Sequence, residues 1–310
     1  MADDSQMMKI VEEQIDLHSM NKSYVQKSLD YMERNKVFTL KPSEIPRISQ
    51  SKLIPNIFFG LGKRESLRKF RIGIVGTRKP DEYAVRAVTD IIRRYRNREI
   101  ATVSGFAEGI DSLVHTASLE NNIPTIGVLP GGFANIYPAS NEKLRDEVKE
   151  NGLLLTEYSP YIKAMKLNFI QRNHIIAAIS DIVIITQGAM KSGTLSTLSH
   201  ALKLQKQVYA LPGEITNKLS YAPNYAIYRG AIPIYTKDLL PGISLKKHVK
   251  TKLTEEEEIV FQMVKKYRDI NEMMKSNELP YAVTAATLTQ LELKGLVMKG
   301  FNNKISVVED

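Results

Sequence analysis

Short apolar runs alternate with amphipathic stretches through the middle of this 310-residue chain. The runs are Arg71–Val75, Ile100–Ser104, Thr125–Leu129, Leu153–Glu157, Ile182–Thr186 and Gln207–Leu211. Continuous apolar runs of this length read as strands buried on both faces. Between them, residues 81–96, 109–121, 140–151, 170–179 and 194–205 carry helical spacing. Strands spaced by helices predict right-handed βαβ units and a parallel sheet covered on both sides. Residues 1–70 predict a short helical region, with helical spacing from Val11 to about Arg34 and a break at Lys41–Pro46. Leu240–Ile243 and the basic stretch Lys246–Lys250 read as a linker over 241–252. Periodicity resumes over 253–310, opening with Thr254 and, three residues on, Glu257, the spacing of a capping box. The predicted organisation is therefore 1–70, 71–240, 241–252 and 253–310, with no internal repeat and no low-complexity tract.

Charge changes this picture. The net charge is +9, but residues 251–310 hold 8 Lys and Arg against 10 Asp and Glu, whereas residues 1–250 hold 35 against 24. A basic main body points to a polyanion, nucleic acid before membrane. No apolar run approaches the roughly 20 residues that span a bilayer, and Met1–Gln6 lacks the basic start of a signal peptide. The absence of cysteine removes disulfides, thiolate metal sites and cysteine nucleophiles, and fits a cytoplasmic protein.

Four loops fall at the C-terminal ends of the predicted strands, where open α/β sheets bind ligands. They are Gly76-Thr77-Arg78, Ser104-Gly105 through Asp111, Leu129–Gly132, and Lys191-Ser192-Gly193-Thr194. Glycines permit close backbone approach, helix N-termini favour anions, and an arginine fork suits a phosphate. Together the loops predict a phosphate-lined cleft. Phe169, Arg172 and Asn173 open another helix. Arg172 is placed either on phosphate or as a brace for a neighbouring loop, and Phe169 either under a base or in the core. Arg93–Arg98 closes a helix, where cations complement the dipole. His115, His174 and His200 show no metal-ligand spacing, so no metal is expected. A Gly-x-Gly-x-x-Gly turn, a Walker-type phosphate loop and a Gly-x-Ser-x-Gly elbow are all missing, which argues against a dinucleotide oxidoreductase, an ATPase and a serine hydrolase. No cofactor and no catalytic residue is expected.

In order, Gly76-Thr77-Arg78, Ser104–Asp111, Ile136-Tyr137-Pro138 with Asn141, Asn168-Phe169 with Gln171–Asn173, Lys191–Leu195, Leu211–Gly213, and Asn224 with Ile227 and Gly230-Ala231 resemble the successive signatures of the DNA-processing protein A (DprA/Smf) family. The resemblance covers roughly 55–240. It implies an extended Rossmann-like fold that binds single-stranded DNA, protects incoming strands in natural transformation and loads the RecA recombinase. It implies a homodimer without enzymatic activity. Carried over by motif, the DNA-binding set is Gly76, Thr77, Arg78, Ser104, Gly105, Phe169, Arg172, Asn173, Lys191, Ser192, Gly193 and Thr194. Leu288–Val297 and Ile305 are similar to the family's C-terminal winged-helix domain. Three departures stand out: Glu108 where the family usually has a basic residue, Thr77 for a common serine, and His174 for a common arginine. A histidine there is expected to make local charge depend on pH.

Two other functions fit the same cleft. One is a sensor that binds a small nucleotide. The other is an enzyme similar to the nucleotide phosphoribohydrolases, whose Pro-Gly-Gly-x-Gly-Thr-x-x-Glu motif is interrupted here. Phe133 and Ala134 follow Gly132, and Thr197 stands where the catalytic acid belongs.

Overall fold

The computed structural model describes residues 22–236, 240, 253–267, 269–276, 278–293, 296–299 and 305–307. The predicted linker 241–252 lies outside them. The chain divides into two compact units: residues 1–95 with 100–243, and residues 96–99 with 244–310.

In the first unit the described elements are α1 (Lys22–Asn35), β1 (Phe38–Leu40), β2 (Phe58–Gly62), β3 (Phe70–Val75), α2 (Glu82–Arg94), β4 (Ile100–Ser104), α3 (Ile110–Glu120), β5 (Thr125–Val128), α4 (Glu142–Asn151), β6 (Leu153–Thr156), α5 (Lys166–Ile179), β7 (Ile182–Ile185), α6 (Gly193–Lys203), β8 (Gln207–Ala210), α7 (Tyr221–Tyr228) and β9 (Ile232–Pro233). They build one sheet in the order β1-β2-β6-β5-β4-β3-β7-β8-β9. All six predicted strands lie within it, and β3 pairs in parallel with β4 on one side and β7 on the other.

The expectation of a parallel sheet needs correction. The sheet is mixed, because β2 runs antiparallel to β6 and β1 antiparallel to β2. Both strands come from the stretch read as helical. They are short, and Gly60 and Gly62 interrupt the apolar run of β2, so neither gives a strand signal of its own. Helix α5 starts at Lys166, earlier than the spacing predicts.

The alternation along β6 shows how the sheet is filled. Leu153 and Leu155 pack on one face with Phe58, Val103, Ile175 and Ile185. Leu154 packs on the other with Phe59, Phe106, Leu129 and Val148, against Val25, Leu29 and Met32 of α1. Each such fully buried side chain contributes roughly 1.5–3 kcal/mol.

The second unit contains α8 (Glu255–Tyr267), α9 (Ile270–Lys275), α10 (Tyr281–Leu293) and an antiparallel hairpin, β10 (Val297–Lys299) with β11 (Ile305–Val307). Val260, Met263, Met273, Leu288, Leu291, Val297 and Ile305 form its core. The capping box forms as its spacing predicts: the Thr254 N–H donates to Glu257 Oε2 at 3.0 Å, and the Glu257 N–H to Thr254 Oγ1 at 3.2 Å.

Candidate functional site

Strand order reverses between β3 and β7, so connections leave the two strands in opposite directions and open a crevice above their C-terminal ends. Val75 pairs with Ile185, and the Thr186 hydroxyl donates to the Val75 carbonyl at 3.0 Å. At Gly76 a Cβ would overlap Thr186 Oγ1 and the Ile110 side chain. Glycine here lets the loop after β3 lie flat against its neighbours, and Thr77 and Arg78 then turn outward.

A cleft of about 320 Å3 occupies the crevice. Nine of the twelve sequence-predicted residues line it: Gly76, Thr77, Arg78, Phe169, Arg172, Asn173, Ser192, Gly193 and Thr194. Ser104, Gly105 and Lys191 do not. Lys191 is exposed beside Ser192. Ser104 is buried and donates to the Ile74 carbonyl at 2.7 Å, with Asp111 Oδ1 3.1 Å from the same hydroxyl. At Gly105 a Cβ would overlap the Arg172 guanidinium and the Asp111 carboxylate. Its need for glycine is therefore internal packing. Glu108, exposed, does not line the cleft either.

The two arginines of the cleft differ sharply. Arg172 is 3% exposed, donates to the Val128 carbonyl at 2.9 Å and lies 3.7 Å from Asp111 Oδ2. Burial lowers its pKa and raises that of Asp111, each opposed by the attraction of the other. Arg172 therefore braces the loop after β4. Arg78 is exposed, and its guanidinium lies 5.0 Å from the centre of the Phe169 ring. Among the described residues it takes part in no ion pair, so it is the arginine available to an anion from outside.

The helix ends differ as well. Asp81 caps α2, accepting from the Ala84 N–H at 3.0 Å, from Gln187 Nε2 at 2.7 Å and from Asn217 Nδ2 at 2.9 Å. That hydrogen bond from Ala84 is the largest of the influences that hold its carboxyl below the ordinary range. The N-terminus of α2 thus carries its own anion. At the start of α6 the Ser192 side chain makes no capping bond, and its Oγ is buried with no partner among the described residues. Asn173 Nδ2 donates to the Gly193 carbonyl at 3.2 Å and fixes this turn. The helix end that faces the cleft without an anion of its own is that of α6.

Two histidines lie beneath these loops. His115 is fully buried, with Nε2 2.5 Å from the Gly105 carbonyl and Nδ1 2.6 Å from Thr125 Oγ1. The carbonyl only accepts, so Nε2 carries the proton and Nδ1 accepts from Thr125. Burial pushes its pKa down to about 4. His174 departs from the expected pH-dependent charge. It is 3% exposed, its Nδ1 lies 3.3 Å from His200 Nδ1, and burial lowers its pKa to about 4, so it is neutral near pH 7.

Tyr137 stands outside the cleft lining but touches it, a neighbour that sequence reasoning did not place there. Its ring meets Phe169 edge-on at 5.7 Å. No periodicity signals such a contact, which joins the segment after β5 to helix α5. The stretch 208–211 is buried, and β8 runs between β7 and β9. Among the described residues no group of three or more His, Cys, Asp or Glu is arranged to hold a metal. No helix there is long and apolar enough to cross a membrane.

Residues 29–241 match the sequence model of a family described as DNA recombination-mediator protein A. The DNA processing protein DprA of Bacillus subtilis is 38% identical over 185 residues, which cover 59% of this chain and 62% of that protein. That of Streptococcus pneumoniae is 34% identical over 177 residues, 57% of this chain and 62% of that protein. Each match thus spans less than two thirds of the relative. Two solved structures are similar. The X-ray structure of DprA from Streptococcus pneumoniae aligns with a TM-score of 0.60 and 26% identity, covering 73% of this chain and 84% of that one. A structure of DNA processing protein A from Helicobacter pylori, described for its single-stranded DNA binding mode, aligns with a TM-score of 0.58 and 29% identity, covering 65% and 92%.

Proposed function

The chain belongs to the DNA recombination-mediator protein A family, and we propose that it binds single-stranded DNA in the cleft above β3 and β7 as a mediator rather than an enzyme. The observation that carries this reading is the pairing of an exposed Arg78 with the uncapped N-terminus of α6 across one crevice. Thr77, Arg78, Ser192, Gly193 and Thr194 take the phosphodiester backbone, with Lys191 adding charge at the rim. Arg172, Asn173, Ser104 and Gly105 hold these loops in place, and Phe169 supplies the aromatic surface beside them. Backbone binding of this kind gives little sequence preference.

The reading extends to the whole molecule. The protein protects incoming single strands in natural transformation, loads the RecA recombinase onto them and works as a homodimer in the cytoplasm. Residues 253–310 form a winged-helix domain, joined through 241–252 to the Rossmann-like domain 71–240, with 1–70 as an N-terminal region. The three helices and terminal hairpin of the second unit support that assignment.

Fluorescence anisotropy of a labelled oligo-dT strand and of its duplex, at low and moderate salt, tests the reading. The single strand is expected to bind better than the duplex. Affinity is expected to fall with salt at a log–log slope of about −0.7 per phosphate contacted. Arg78→Ala is expected to weaken binding and to flatten that slope by about one contact. Saturation by a mononucleotide instead would favour a nucleotide sensor, and absence of binding at low salt would remove the DNA reading.

A further inference from the structure

We propose that Tyr137 is the base platform of this cleft, the side chain on which a nucleobase of the bound strand stacks. The inference rests on the single-strand reading and adds which residue meets the bases. Phe169 is the obvious aromatic, but its ring is already engaged by two cations. The Arg78 guanidinium lies 5.0 Å from its centre and that of Arg172 lies 5.8 Å from it. Such contacts orient a guanidinium, so Phe169 acts as a positioning residue for Arg78.

Tyr137 stands one ring further out. Its ring is perpendicular to Phe169, with an interplanar angle of 83° and centroids 5.7 Å apart, and the residue is 51% exposed. An edge-on contact uses the rim of one ring and leaves a face of Tyr137 open. The loop that carries it is held on its neighbours. Gly132 and Ala134 donate backbone N–H groups to the Ile162 and Pro160 carbonyls at 2.8 and 2.9 Å, and Asn135 Nδ2 donates to the Tyr161 carbonyl at 2.9 Å. A Cβ at Gly132 would overlap the Ser159 and Pro160 carbonyls, so these backbones touch. A half-exposed aromatic on an anchored loop, next to the exposed Arg78, presents a π-face at low entropic cost. A strand whose phosphate lies on Arg78 directs its bases away from the phosphate donors, and the first open ring in contact with the cleft wall is Tyr137.

The test compares oligo-dT with a strand of the same length made of abasic deoxyribose phosphates. Tyr137→Ala is expected to lose roughly tenfold in affinity for oligo-dT, within the range of one stacked base, and to bind the abasic strand as wild type does. Tyr137→Phe is expected to bind both as wild type does. The chain contains no tryptophan, so Tyr137→Trp places a single indole at the platform. Its emission is expected to be quenched by oligo-dT and left unchanged by the abasic strand, a readout that does not depend on how well the alanine variant folds. Equal loss on both strands, or no quenching by a bound oligo-dT strand, would overturn the proposal. If wild type binds neither strand, the single-strand reading itself fails and this inference falls with it. That result is read without any variant.

Discussion

Arg78 and Arg172 show how far burial decides what a side chain does. Both line the cleft, but Arg172 is 3% exposed and set against Asp111 and the Val128 carbonyl, while Arg78 is exposed and its guanidinium faces the Phe169 ring. Removing one partner of a buried charged pair leaves the other uncompensated, a loss of roughly 3–5 kcal/mol. Arg172→Ala is therefore expected to lower the urea midpoint strongly. Arg78→Ala is expected to stay within about 1 kcal/mol of wild type, the scale of an exposed cation–π contact, and to lose single-strand binding instead. Urea unfolding followed by circular dichroism separates the two, and an Arg172→Ala protein of wild-type stability would refute the brace. The sequence offered both arginines for phosphate, with a brace as the alternative for Arg172. Only the partners chose between these, and Asp111 and Val128 lie far from residue 172 along the chain.

At the scale of elements, one glycine holds the anion loop against a helix. Gly109, at φ 78°, precedes α3, and the Ile110 N–H donates to the Thr77 carbonyl at 3.1 Å. A Cβ on Gly109 would overlap the backbone of Thr77 and Arg78. Gly109→Ala is expected to cost roughly 1–3 kcal/mol from backbone strain and to displace Arg78, so thermal stability and single-strand affinity fall together. Gly230, at φ 95° with no atom within 4 Å of an added Cβ, is the control: Gly230→Ala should lose stability and keep affinity. If both variants bind like wild type, α3 does not position the loop. The parallel strands were legible because each is a continuous apolar run buried on both faces, such as Ile182–Ile185. The rule that ligands gather where strand order reverses then brought most of the site loops together. The outer strands β1 and β2 were not legible. Phe38–Leu40 is three residues long, and the β6 partners of β2, Leu153–Thr156, lie far along the chain. The pairing is tertiary, and no local window contains it.

Across the whole molecule, charge was legible and its burial was not. The excess of Lys and Arg over 1–250 and the acidic balance of 251–310 are plain in the sequence, but nothing there marks His115 as enclosed between the Gly105 carbonyl and Thr125. Its folded pKa of about 4 lies below the ordinary 6.5. Between those values the unfolded chain binds a proton that the folded chain excludes. The neutral imidazole therefore contributes its full stability above pH of about 6.5, and this is lost as pH falls towards about 4, at up to about 1.4 kcal/mol per pH unit. His174, also lowered to about 4, acts in the same direction. Asp111 opposes them, because a carboxyl raised by burial favours the folded state as pH falls. The net acid sensitivity of wild type mixes these contributions, and a substitution separates one of them. His115→Gln keeps an amide able to donate to Gly105 but cannot titrate. Urea unfolding at pH 7.5, 6.5, 5.5 and 4.5 is expected to show the stability difference between wild type and His115→Gln narrowing steadily below about pH 6.5. A difference that stays constant across this range would mean that His115 is protonated in the folded protein, and the Gly105 loop would then rest on a charged imidazolium instead of a neutral ring.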